Sequence, residues 1–123
     1  MASNVTKADG SGYWLVTTSV LGKTSWIPND IHSTDKITYD NDTHRWVDVY
    51  TDDTGGYDVT TSPGWTGNTM VWTDRLFTPT NDVSAQSPTT VTKVSDTKTT
   101  SHSTFKETKS GRTITFDVVC TKG

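Results

Sequence analysis

Lys36-Ile37-Thr38-Tyr39-Asp40 and Arg45-Trp46-Val47-Asp48-Val49-Tyr50-Thr51 flank four turn formers, Asn41-Asp42-Thr43-His44. Two alternating runs around such a turn predict an antiparallel hairpin. Alternation sends Arg45, Val47, Val49 and Thr51 to one face and Trp46, Asp48 and Tyr50 to the other. Both faces mix polar and apolar side chains. A sheet built this way encloses an interior that is only partly apolar, which suits a cavity holding a small ligand or water better than a solid core.

The same punctuation continues in both directions. Upstream, Tyr13 to Val20 has strand composition, and Thr24-Ser25-Trp26-Ile27 reads as a short edge strand or irregular crossing stopped by Pro28-Asn29-Asp30. Downstream, Asp52-Asp53-Thr54-Gly55 turns the chain into a strand from Gly56 to Thr61, where Gly56 marks a bulge or a positive φ. Ser62 to Gly67 is a further turn, Asn68 to Asp74 a strand that Arg75-Leu76-Phe77 extends, and Thr78 to Pro88 the longest loop. Three strands close the chain at Thr89 to Val94, Lys98 to Glu107 and Arg112 to Thr121. Residues 1–11 read as a flexible N-terminal segment ahead of a single β domain over 12–123. About seven to nine antiparallel strands with short connections and no substantial helix form an up-and-down meander, which closes into a barrel or half-barrel more readily than a Greek-key sandwich.

Composition agrees with this reading. The 123 residues include 27 Thr, while Glu107 is the only Glu and Leu15, Leu21 and Leu76 the only Leu, so β-branched residues stand where helix formers would. Mean hydropathy is -0.59, yet five Trp, four Tyr and three Phe supply buriable surface that a disordered chain lacks. A net charge of -3 offers no basic field for a phosphate backbone, and no apolar run reaches membrane-spanning length. Nucleic acid and membrane are therefore not expected partners. Met1-Ala2-Ser3 opens no signal peptide, and the Thr/Ser/Asp/Gly-rich composition reads as the mature portion of an exported, periplasmic or secreted, protein. A single cysteine, Cys120, excludes an intrachain disulfide and reads as a small hydrophobe in the last strand.

Candidate chemistry is sparse. His32 has Asp35 three residues on, His44 sits in a turn, and His102 is mid-strand between Thr100 and Thr104 with its orientation open. Asp48, Asp52, Asp53 and Asp58 gather around one hairpin, readable as a cation or acid/base cluster or simply as turn formers; no EF-hand spacing and no G-x-S-x-G elbow is present. Asn4-Val5-Thr6 and Asn41-Asp42-Thr43 match the glycosylation sequon. Aromatic side chains carry the stronger signal, since Trp and Tyr combine an apolar body with a hydrogen-bond donor. Trp46, Tyr57, Trp65, Met70, Trp72 and His102 are the candidate ligand-binding residues, with no catalytic residue and no metal ligand assigned. Trp65, between Gly64 and Gly67, is expected to gate the site together with the Thr78 to Pro88 loop.

From Tyr39 to Thr73 the pattern Y-D-(x)5-W-V-D-V-Y-T-D-D-T-G-G-Y-(x)5-P-G-W-T-G-(x)4-W-T resembles the central hairpins of a lipocalin-like group of uncharacterised bacterial proteins, the DUF1579 type. Gly12-Tyr13-Trp14 is similar to the G-x-W opening of calycin barrels, and Lys93 to Thr97 and Val118 to Lys122 are similar to the closing strands. The resemblance covers roughly residues 12–121 and consists of turn and packing signatures. It implies a calycin-type barrel without an agreed activity. Gly12-Tyr13-Trp14 stands so close to Trp26 that one early hairpin of that pattern is missing, which implies an incomplete barrel with free edges and a homodimer as one way of closing it. The expected function is a small-molecule binding module for a partly apolar ligand, more a binder than an enzyme, without a resident cofactor. The alternatives are a barrel isomerase or cyclase, a nitrobindin-like haem protein in which a strand histidine such as His102 holds the iron, and an edge-paired structural dimer.

Overall fold

A computed structural model describes residues 2–25, 27–77, 83–86, 88–107 and 110–123. Among them there are eleven strands and no helix: β1 (Ala2–Ala8), β2 (Leu15–Leu21), β3 (Ile31–Asp40), β4 (Arg45–Asp52), β5 (Tyr57–Ser62), β6 (Trp65–Thr66), β7 (Thr69–Phe77), β8 (Val83–Gln86), β9 (Thr89–Ser95), β10 (Lys98–Glu107) and β11 (Thr113–Thr121). All pairings are antiparallel, in the order β1-β2-β3-β4-β5-β7-β9-β10-β11, with β6 on β7 and β8 on β10. The meander curls into a half-barrel, the open form of the expected architecture.

The register is set by carboxylates at the ends of strands. At the β3–β4 hairpin Asp40 pairs with Arg45, and the Asp40 carboxylate accepts hydrogen bonds from Asp42 N at 2.9 Å and Thr43 Oγ1 at 2.7 Å. His44 then turns the chain with φ of 54°, the left-handed region that His enters more readily than most residues. Asp52 repeats the device at the β4–β5 turn, accepting from Thr54 N, Thr54 Oγ1 and Gly56 N at 2.9, 2.6 and 2.9 Å. Here the positive φ belongs to Gly55, at 89°, and not to Gly56; Gly56 is required for space, since a Cβ there would meet Asp52 Oδ2 at 2.5 Å. Asp9 does the same between β1 and β2, accepting from Ser11 N at 2.8 Å. An aspartate followed two or three residues later by Ser or Thr thus closes the β1–β2, β3–β4 and β4–β5 turns, through bonds to the following hydroxyl and to the turn backbone.

Three differences from the sequence expectation have physical causes. Ala2–Ala8, expected to be flexible, forms β1 because β2 offers its whole edge, from Ala2 opposite Leu21 to Ala8 opposite Leu15. Within the expected 78–88 loop, Val83–Gln86 pairs with β10 on the edge that β9 leaves uncovered, with Phe105 opposite Gln86. Trp65, expected in a turn, begins a two-strand ribbon, Trp65 opposite Met70 and Thr66 opposite Thr69 around Gly67-Asn68. Residues 22–25 and 27–30 cross without strand pairing, pinned by Lys23 N to Asp30 Oδ1 at 2.9 Å and Thr24 N to Ile27 O at 2.8 Å; Trp26 lies outside the described residues.

β7 joins the two halves of the sheet. Its first residues pair with β9, Met70 opposite Val91 and Trp72 opposite Thr89, while Thr73 to Phe77 pair with β5 across a register shift at Val59/Thr60. A single curled layer has no second layer to bury its apolar face, and the described core is correspondingly thin. Met70 is 7% exposed, and the consecutive Thr61 and Ser62 on β5 and Ser103 on β10 are buried as well. Cys120 lies in the last strand, exposed. Met70→Ala removes the most enclosed apolar side chain of this thin core, and we expect a loss of about 2–3 kcal/mol, read as a lower urea midpoint at unchanged slope.

Candidate functional site

Strand register brings the chemistry to the concave face. Asp35 and Asp58 are the cross-strand neighbours of Tyr50 on either side, and Asp48 lies between Ile37 and Thr60. Cross-strand partners share a face, so Asp35, Asp48, Tyr50, Asp52 and Asp58 all point into the curl. They line an open groove of about 1380 Å³ together with Trp72, Tyr57, Val91, Phe105, Ile114 and Phe116. Leu21 at the end of β2 and Thr24, Ile27 and Pro28 of the crossing segment also line it. Glu107 and Arg112 stand at the rim, 3.7 Å apart, and Arg112 is the basic residue among the described lining.

These carboxylates occupy contrasting surroundings. Burial pulls Asp52 upward, but the hydrogen bonds from Thr54, Gly56 and Tyr50 outweigh it and hold its carboxyl below the usual range. Asp48 has no such donors. Desolvation, reinforced by the like charges of Asp35 and Asp58, pushes it up to about 7, and its Oδ1 is buried with no hydrogen-bond partner among the described residues. Desolvation alone raises Asp35 to about 6. The Tyr50 hydroxyl donates to Asp52 Oδ2 at 2.9 Å, and its own pKa is pushed upward by burial and by that acceptor. The groove therefore presents fixed hydrogen-bond acceptors near its floor and aromatic surface along its walls.

The sequence candidates distribute unevenly over this site. Trp72 and Tyr57 line the groove. Trp46 shares the concave face but packs edge-to-face on Tyr39, with ring centroids 5.2 Å apart, and its indole lies 3.5 Å from where a Cβ on Gly64 would sit. Met70 is the enclosed side chain described above, and Trp65, its register partner, is 52% exposed. Residues 78–82 and 87, most of the connection expected to act with Trp65 as a gate, lie outside the described residues. His102 points the other way: its neighbours Ser101 and Phe105 line the groove, whereas His102 sits on the convex face with Nδ1 2.5 Å from Asp117 Oδ1.

His32 bonds Asp53 rather than Asp35, Nδ1 to Oδ2 at 2.9 Å, with His32 N donating to Asp53 Oδ1 at 3.2 Å. Of the four aspartates grouped by sequence, Asp53 ties His32, and Asp52 holds its own turn while lining the groove with the pair Asp48 and Asp58. Asp35 joins the groove pair unannounced; its signal was the alternation Asp35, Ile37, Tyr39 opposite Trp46, Asp48, Tyr50. Among the described residues no group of three or more His, Cys, Asp or Glu side chains is placed to hold a metal ion.

Asp48 generates a stability prediction whose sign follows from its raised pKa. The folded protein keeps a proton on Asp48 that the unfolded chain, at 3.8, has already released. Its contribution is complete below about pH 4 and is lost as pH rises through 7. We expect urea stability to fall between pH 5 and pH 8 by on the order of 2–4 kcal/mol, with Asp35 contributing in the same direction. Asp48→Asn should flatten most of that slope; an unchanged slope would show that Asp48 ionises freely in the folded protein.

No family model and no curated protein matches this chain.

Proposed function

We propose that this chain is a binding module that holds a small, partly apolar molecule in its concave groove, as a lipocalin-like protein would. The observation that carries the reading is the lining itself: Trp72, Tyr57, Phe105, Phe116 and Ile114 beside the carboxyl groups of Asp35, Asp48 and Asp58, which are acceptor-only once ionised. Ligand sites combine mostly apolar walls with a few converging polar groups, and they cluster in the mouths of β-barrels. The acceptors specify the polar end of the guest. A hydrogen-bond donor, neutral or cationic, satisfies the buried Asp48 Oδ1, whereas an anion meets like charge and an uncompensated desolvation cost.

Two fluorescent probes with one apolar body separate these cases: N-phenylnaphthylamine, neutral and carrying an N–H, and its sulfonated, anionic relative. At pH 8 the neutral amine should bind more tightly than the sulfonate, and the difference should narrow at pH 5, where Asp35 and Asp48 carry protons. Trp72→Ala should weaken the neutral probe by about 5- to 150-fold, the equivalent of about 1–3 kcal/mol for one buried aromatic contact. Equal affinity for both probes at pH 8, or an unchanged affinity in the Trp72 variant, would defeat the proposal.

A further inference from the structure

We propose that two copies of this chain pair through the outer edge of β11, antiparallel and related by a two-fold axis, so that two half-barrels share one continuous sheet. The inference is independent of what the groove holds. Its first support is area. The chain exposes 8419 Å², whereas a compact monomer of 13.5 kDa exposes about 6500 Å². The surplus, roughly 1900 Å², is more than the ~800 Å² that each partner buries in a standard interface.

The second support is the character of the two end strands. β11 pairs with β10 along its full length, from Thr113 opposite Lys106 to Thr121 opposite Lys98, and its other edge has no described neighbour. Thr113–Thr121, TITFDVVCT, contains no Pro, Gly or Lys, the residues that usually blunt an exposed edge. Its one charge, Asp117, is engaged by His102 across the sheet. Apolar side chains stand open on both faces, Phe116 at 46% and Val119 at 61% exposure. β1, at the opposite end, is ASNVTKA, with Lys7 and polar Asn4 on a weaker strand former.

Strand parity selects the geometry. The path from β1 to β11 contains nine strands paired antiparallel throughout, so β1 and β11 run in the same direction. Closing β1 onto β11, within one chain or head-to-tail between two copies whose concave faces lie on the same side, therefore requires a parallel seam. β11 against β11 of a second copy is antiparallel and isologous, the commonest closed arrangement for homodimers. With Val118 opposite Val118 of the second copy, Phe116 faces Cys120 and Asp117 faces Val119, which keeps the two Asp117 carboxylates from direct opposition.

The test is sedimentation equilibrium of the full chain in reducing buffer, from micromolar to near-millimolar concentration. A dimer of twice the 13.5 kDa chain mass is expected. Val119→Asp, which sets a carboxylate opposite Asp117 of the second copy, and, separately, Thr115→Lys place a charge on the β11 edge at exposed positions and should each raise the dissociation constant about tenfold or more. Val5→Lys, on the β1 edge, should leave it unchanged. Far-ultraviolet circular dichroism verifies that each variant is folded, and two β11 variants keep the test intact if one is not. A monomer across the whole range overturns the proposal, as does a dimer that appears only without reductant, which would be a Cys120 disulfide. A dimer weakened by Val5→Lys and untouched by both β11 variants overturns it as well.

Discussion

Hydrogen-bonded pairing of neighbouring strands, held in register by aspartates at the turns, is the interaction on which the rest of this molecule depends. In a two-layer protein, buried apolar side chains pin each strand from the face, and a slipped register is punished by exposing a core. Here one curled layer encloses little, and Met70 alone among the described apolar side chains is almost fully enclosed. Register must then come from the turns. Asp9, Asp40 and Asp52 supply it by accepting bonds from the turn backbone and from a following Ser or Thr, which fixes where each strand ends and its partner begins.

That arrangement explains why one residue type does opposite work a few residues apart. An aspartate at a strand end finds backbone N–H donors and is held ionised. An aspartate inside the strand is out of reach of the turn's N–H groups: Asp48 stands between Ile37 and Thr60 of the neighbouring strands, with Asp35 and Asp58 close enough to add like charge. Asp52 and Asp48 share a strand and a face, yet one is solvated by its own turn, and the buried Oδ1 of the other has no hydrogen-bond partner among the described residues. The groove's electrostatics follow from strand length: a shorter β4 would turn before Asp48 reached the interior.

Thr and aromatic residues divide the remaining labour. Thr favours extended backbone and tolerates water on one side, which lets a sheet form with few aliphatic residues. Aromatic side chains supply large surface per residue, so Trp72, Phe105 and Phe116 suffice to make the groove walls apolar while polar positions remain between them. The cost is an open structure with exposed apolar edges, and the same openness leaves the concave face accessible.

How much of this was legible in the sequence differed from element to element. The 36–51 hairpin, the strand over Lys98–Glu107 and the all-antiparallel meander were readable because alternation and turn chemistry are local properties of consecutive residues. The face shared by Trp46, Asp48 and Tyr50 was readable for the same reason. β1 was not, because its polar, exposed sequence acquires strand structure only from the edge that β2 presents. Nor was the partnership of Asp35 with Asp48 and Asp58, or the turning of His102 toward Asp117 and away from the groove. Those depend on inter-strand register and on the direction of curl, quantities set by pairs of residues far apart in the chain. The amino-acid sequence by itself determined the strands, their turns and the mixed character of each face. Only the tertiary structure decided which face became concave, and with it which carboxylates lost water and which aromatics gained a cavity.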